Sequence, residues 1–278
     1  MSARAKPRGI HDAFSRDGYA CVDAFAPEEA ARHRASIVNL QADEGAGDLN
    51  RWNLPHGVSL NRRFWPLMTH PGILAAAREA LGTERIVYAE QSAIKVWNNS
   101  AASGWHRDSI ASRPAPGGEW SADYRVVRVA CYLQSADHGF SWGAVPRSHR
   151  GERDLPGWER ALWRRLQPSP PVRIGSRLDH LSAEPSGRPW IRTGPSPRRW
   201  HAPATPRWIP TEPTRCILFD PRLIHAGGPV AGGKIAAFFA FGADNHHTSE
   251  HRRRFAPELN PRHAQLREHL VKHGLSSA

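Results

Sequence analysis

Cysteine is scarce in this chain. Cys21, Cys131 and Cys216 are the only three in 278 residues. They are odd in number and far apart, so they supply neither a disulfide framework nor the close Cys-x-x-Cys spacing of a zinc site, and a reducing, cytoplasmic setting is expected. No apolar run approaches the roughly 20 residues needed to cross a bilayer, so no membrane role is expected. The basic start, Met1 to Arg8, is not followed by an apolar stretch, and no secretory leader is expected. Also missing is the regular alternation of apolar strands and helices that builds a parallel sheet. What remains is ample: 40% of the residues are apolar, enough to bury a substantial core, and one domain over 1–278 fits better than two.

The chain carries a formal net charge of +12. Such an excess raises a polyanion or nucleic-acid hypothesis, so its distribution matters. Between Arg147 and Arg199 there are 12 Arg against 5 Asp and Glu, which places much of the excess in one proline-rich stretch that also holds Trp158, Trp163, Trp190 and Trp200. We read residues 147–213 as an insert that serves either as a lid over an anionic or sugar-like small molecule, through arginine forks and aromatic faces, or as a solvated surface loop. Within it, Trp158, Leu162 and Leu166 predict a short helix over 157–167. Nucleic acid is the less favoured partner.

The flanks read as helical. Pro27 with Glu28 and Glu29 opens a helix that carries Ile37 and Leu40 on its apolar side. Pro71 and Gly82 bracket a second, with Ile73, Leu74, Ala77 and Leu81 at helical spacing. Asn260 and Pro261 start a last one, stopped by Gly274. Residues 85–98 and 125–134 read as strands, the latter rich in β-branched and aromatic residues. The chain is therefore mostly β with flanking helices, a sandwich or squashed barrel.

Two short stretches carry chemistry. If Gly104 to Asp108 is extended, His106 and Asp108 face one way and Arg107 the other. His225, just beyond the apolar run Cys216 to Phe219, brings a second imidazole. Two histidines and one carboxylate with open positions between them suit non-heme Fe(II). A hydrogen-bonded His-Asp pair on a surface turn is the plainer alternative. After the turn-forming glycines 227, 228, 232 and 233, Lys234 opens the apolar run to Phe241. A hairpin there sets Lys234 on the strand antiparallel to that of His225, beside the metal, or else leaves it as an exposed hairpin lysine.

Taken together, Gln91 to Lys95, Trp105-His106-Arg107-Asp108, Val129 to Leu133, Gly143 to His149 (similar to a Pro-Gly-Ser-His turn) and His225 to Asp244 resemble the phytanoyl-CoA dioxygenase-like family of Fe(II)/2-oxoglutarate oxygenases. The resemblance spans about residues 85–245 and implies a double-stranded β-helix, the cupin-like jelly roll. It implies His106, Asp108 and His225 as ligands of Fe(II), with 2-oxoglutarate and O2 as co-substrates and succinate as a product. The distal carboxylate of 2-oxoglutarate calls for a buried cation. Family members use an arginine near the slot of Lys234, and lysine lacks its two-pronged contact. Arg128 and Lys95 are further candidates, and Gln91 is placed to line the pocket. A carboxylate at Asp108, where related halogenases have glycine or alanine, implies hydroxylation or another oxidation without halide. The expected substrate is a small polar natural-product intermediate, anionic or sugar-containing, that is hydroxylated or oxidatively cyclised.

Two other motifs were weighed. Gly139 to Gly143 matches the G-x-S-x-G nucleophile elbow of serine hydrolases, with Ser141 as nucleophile, but Pro146 falls where a helix has to continue. His106-Arg107-Asp108 matches a kinase catalytic loop, yet Arg113 stands where that loop needs asparagine.

Overall fold

The computed structural model describes residues 9–47, 51–97, 103–108, 118–134, 141–150, 207–227, 233–255 and 262–276, with the side chains of 103–106, 118 and 262–263 outside that description. The helix expected over 157–167 and most of the basic insert lie outside the described residues.

Among the described residues, ten strands form two antiparallel sheets. They are β1 (Tyr19–Asp23), β2 (Arg51–Pro55), β3 (Ile86–Trp97), β4 (Ser103–His106), β5 (Val126–Tyr132), β6 (Ser141–Ala144), β7 (Arg207–Pro210), β8 (Arg215–Phe219), β9 (His225–Gly227) and β10 (Lys234–Ala243). The larger sheet runs β1-β8-β5-β10-β3-β2 and the smaller β4-β9-β6-β7.

Strands β5 and β10 are apolar on both faces because both faces are covered. On one side Val127, Val129, Cys131, Ala237, Phe239 and Phe241 pack with the helices. On the other Ala130, Tyr132, Ala236 and Phe238 meet Trp142 and Ala144 of the small sheet. A strand buried on both sides reads as a continuous hydrophobic run. Position 128 falls on the face between the sheets, and there the run is broken by an arginine.

The helices sit outside the large sheet. In α2 (Pro27–Asp43) proline occupies the first turn, with Glu28 and Glu29 at the positive end of the helix dipole, and Ile37 and Leu40 are buried. α4 (Pro71–Leu81) buries Ile73, Leu74, Ala77 and Leu81 and ends on Gly82, whose φ of 62° is left-handed. α1 (Ile10–Asp17) and the short α3 (Trp65–Met68) precede β1 and α4. The C-terminal helices are His246–Phe255 and Arg262–Lys272, the second burying Leu266 and Leu270. No helix among the described residues is long and apolar enough to cross a membrane.

One expectation is corrected. β9 and β10 do not form a hairpin, for β9 pairs with β4 and β6 while β10 pairs with β3 and β5. The glycine-rich connection carries the chain from one sheet to the other. The antiparallel partners of the His225 strand are instead β4 and β6.

Candidate active site

The site is built from residues of both sheets, β4 and β9 of the small one facing β3, β5 and β10 of the large one. β4 and β9 pair with His106 opposite His225. The side chain of His106, the first expected ligand, lies outside the described residues, so its backbone register is what places it. Asp108 stands two residues past the end of the strand and is pinned on both sides. Its amide donates to the Pro221 carbonyl at 2.9 Å, and its own carbonyl accepts from Gln91 Nε2 at 3.0 Å. The segment that leads into His225 therefore holds the segment that carries Asp108.

His225 is buried against Phe219, with ring centroids 4.7 Å apart, and stacks on Trp142 at 5.7 Å. Its Nδ1 lies 3.0 Å from the Leu223 carbonyl. A carbonyl only accepts, so Nδ1 carries the proton, which in the neutral ring leaves the lone pair on Nε2. That Nε2 is 3.5 Å from Asp108 Oδ2. Imidazole and carboxylate ligands about 2.1 Å from one ion and at right angles stand about 3 Å apart, so this pair fits a shared metal. A Nδ1 proton held by a backbone carbonyl is also the usual way of fixing a ligand histidine.

Arg107 points away from this pair, as alternation predicts, and does more than fill space. Half-buried, it donates from Nε to the Arg222 carbonyl at 2.8 Å and from Nη2 to the Ser148 carbonyl at 3.4 Å, with its guanidinium 5.5 Å from the Trp120 ring. Burial pulls its pKa down to about 10, with Asp220 opposing. Ser148 in turn accepts from the Ile224 amide at 2.7 Å through Oγ. The turn at Pro146 to His149 is thus tied to the residue before His225. In it Arg147 adopts φ 69°, where the resembling family has glycine.

Three cations converge on the same space from the large sheet. Arg128 is ion-paired with Asp108 through Nη1 and Oδ2. Its guanidinium carbon lies 5.2 Å from the Phe238 ring centroid, and the Lys95 and Lys234 nitrogens lie 5.3 and 5.8 Å from that same ring. Lys234 is 4% exposed, which removes the reading as a hairpin lysine in solvent. Burial pushes its pKa well below the usual lysine value, Lys95 adds repulsion and Asp108 works the other way. Lys95 is shifted down as well, by burial first and then by Arg128. Two buried polar atoms here, Gln91 Oε1 and Arg128 Nε, have no hydrogen-bond partner among the described residues. Buried orphans of this kind are costly, and a bound polar molecule relieves them.

The structure thus gathers Gln91, Lys95, Asp108, Arg128, His225 and Lys234. Sequence reasoning missed Arg107 as a tie between segments, and the ring walls of Phe219 and Trp142. An arginine between two candidate ligands, in a sequence position that alternation turns away from both, was the available signal for Arg107. Ser141 is corrected: it opens β6 opposite Pro210 and a turn follows, so the strand-to-helix elbow of a hydrolase is absent.

No curated protein matches this sequence. The solved structure of AviO1 from Streptomyces viridochromogenes Tue57 is similar at a TM-score of 0.51 and 18% identity, over 84% of this chain and 93% of that one. The epimerase SnoN, solved with Fe3+, alpha ketoglutarate and nogalamycin RO, gives 0.55 and 17%, over 84% and 82%. EctD from S. alaskensis with bound Fe gives 0.54 and 19%, over 88% and 77%. These likenesses bear out the jelly-roll fold. The family model described as phytanoyl-CoA dioxygenase (PhyH) matches residues 14–237, most of the chain. The chain belongs to the phytanoyl-CoA dioxygenase (PhyH) family of Fe(II)/2-oxoglutarate-dependent dioxygenases.

Proposed function

We propose that His106, Asp108 and His225 hold the Fe(II), and that Lys234, Lys95, Arg128 and Gln91 receive 2-oxoglutarate. The enzyme then hydroxylates or oxidatively cyclises a small polar, anionic or sugar-containing natural-product intermediate. The observation that carries this reading is the pairing of Asp108 Oδ2 with His225 Nε2 at 3.5 Å beneath three cations gathered around Phe238. One carboxylate among three cations is a site waiting for negative charge, and a dicarboxylic acid supplies it.

When bound, Fe(II) with 2-oxoglutarate and O2 supplies the oxidation of an unactivated C–H bond, coupled to decarboxylation to succinate. The chain's own residues orient and exclude. Phe219 and Trp142 pack against the His225 ring, the second by stacking, and keep it dry. Lys234, buried between Trp97 and Tyr132, offers an ammonium to a distal carboxylate in a place where the charge is poorly screened. Arg128 steadies Asp108 and has Nε left to donate, while Gln91 Oε1 has a lone pair to accept from an O–H or N–H. The epimerase SnoN, the carbocyclase SnoK and EctD with 5-hydroxyectoine share this fold. That company supports a tailoring oxidation of a small molecule.

The test is a thermal melt under anaerobic conditions with Fe(II) and 2-oxoglutarate. At about 100 times its dissociation constant a ligand adds about 2.7 kcal/mol, so the midpoint rises. Absence of any shift, together with no succinate on admitting air, overturns the proposal.

A further inference from the structure

β3 is interrupted at its middle by a kink that no glycine explains. Glu90 and Gln91 have φ of 66° and 55°, and His56, which faces them from the end of β2, has φ of 59°. The pairing with β10 slips at this point: Phe238 lies opposite Ala93, Ala240 opposite Glu90 and Phe241 opposite Tyr88. Extra residues on one strand form a bulge, a device that re-aims a side chain. Left-handed non-glycine residues persist only where their surroundings hold them, and they cluster at functional sites.

What holds them is a buried carboxylate. Glu90 is 1% exposed. Its Oε1 receives Ser59 Oγ at 2.6 Å, Ser92 Oγ at 2.9 Å and His56 Nδ1 at 3.1 Å. Tyr88 OH lies 2.7 Å from Ser59 Oγ, and burial raises its pKa well above the usual phenol value, so it stays a donor. The protons then run one way, from Tyr88 to Ser59 to Glu90. The His56 amide closes the loop by donating to the Ser92 carbonyl at 2.9 Å. The far end of the kink is Gln91, whose amide nitrogen reaches the Asp108 carbonyl at 3.0 Å.

We propose that Glu90 is a positioning residue for the metal site: gathered by Ser59, Ser92 and His56, its carboxylate locks the kink that sets the Gln91 amide against Asp108. The chain from Glu90 to the Asp108 backbone is continuous, and it supports from the β3 side the same residue that Pro221 supports from the β9 side. This inference rests on Asp108 being a metal ligand.

The test measures Mn(II), a redox-stable stand-in for Fe(II), by calorimetric titration of the full chain in the presence of 2-oxoglutarate. Glu90→Gln and Gln91→Leu are each expected to weaken Mn(II) binding about 10- to 100-fold, the usual effect of removing support behind a ligand. The double variant is expected to be no weaker than the worse single one, because both cut one chain of contacts. The visible charge-transfer band of the anaerobic Fe(II) and 2-oxoglutarate complex is expected to shift in both. Variants that lower the melting temperature yet bind Mn(II) within twofold of wild type overturn the proposal and leave Glu90 a core residue. Multiplying effects in the double variant overturn it too. Should Glu90→Gln not fold, Ser59→Ala, which removes the hydroxyl that donates to Glu90 at 2.6 Å, decides by the same criterion. A wild type that binds no Mn(II) defeats the metal-site reading itself, a result distinct from variants that match a binding wild type.

Discussion

Arg147 gives a prediction whose size follows from one dihedral angle. It sits in the turn that fastens the His225 segment, at φ 69°. A side chain with a Cβ costs roughly 1–2 kcal/mol in the left-handed region, a cost that glycine escapes. Replacing a Cβ-bearing residue by glycine also loosens the unfolded chain, which costs about 0.4–1 kcal/mol. The backbone bonds of the turn, Arg147 amide to Asp17 carbonyl at 3.1 Å and Arg150 amide to Arg147 carbonyl at 3.1 Å, survive in either residue. Arg147→Gly therefore stabilises by about 0.5–1 kcal/mol, which for a chain of this length raises the midpoint by about 1–3 °C. Differential scanning calorimetry of the metal-free protein measures it. Arg147→Ala is the control, since alanine keeps the Cβ and hence the strain, and its midpoint should not rise. If alanine gains as much as glycine, the benefit comes from removing the arginine side chain and the dihedral argument is wrong. A fall with glycine refutes it outright.

The buried charges of the site give further outcomes. Asp108→Ala should cost about 3–5 kcal/mol in urea unfolding, because it strands the buried Arg128, whereas Asp108→Ala with Arg128→Met should recover much of that loss. Lys234→Met should stabilise the ligand-free protein, since it removes a buried amine whose charging burial opposes, while weakening 2-oxoglutarate at least about tenfold by titration; unchanged affinity moves the role to Arg128 or Lys95. Burial lowers the pKa of His251 to about 3 from an ordinary value of 6.5. Between those two values the unfolded chain binds a proton that the folded one does not, so stability falls as pH drops through that window, by up to about 1.4 kcal/mol per unit. His251→Phe should flatten the dependence of the melting point between pH 6 and about 4, and an unaltered slope would show that other groups set it.

The sequence disclosed the parts of the fold that depend on local chemistry. Pro27 and Pro71 marked helix starts, Gly82 and Gly274 marked stops, and the apolar runs around Val129 and Phe239 marked strands with two covered faces. It misled at residues 227–234, where hairpin logic assumes that neighbours in sequence pair. The chain instead changes sheets, β9 pairing with β4 and β6 and β10 with β3 and β5. β2 and α3 gave too few periodic positions to be seen. In the site, Asp108, His225 and the cations were legible as residue types at familiar spacing. The kink at Glu90 and Gln91 was not, because neither residue has any preference for left-handed backbone and the cause lies in Ser59 and His56, more than thirty residues earlier. Arg107 was hidden for the same reason: its partners are carbonyls at 148 and 222.

The two sheets divide the labour at the site. Asp108 and His225 follow or open strands of the small sheet, while Lys95, Arg128 and Lys234 belong to the large one. Whatever bridges the acid-imidazole pair and the cations acts as a rivet through both layers. Loading such a protein should do more than fill a cleft. It should make the small sheet exchange its amide protons on the timetable of the large one, so that the two layers open as one cooperative unit.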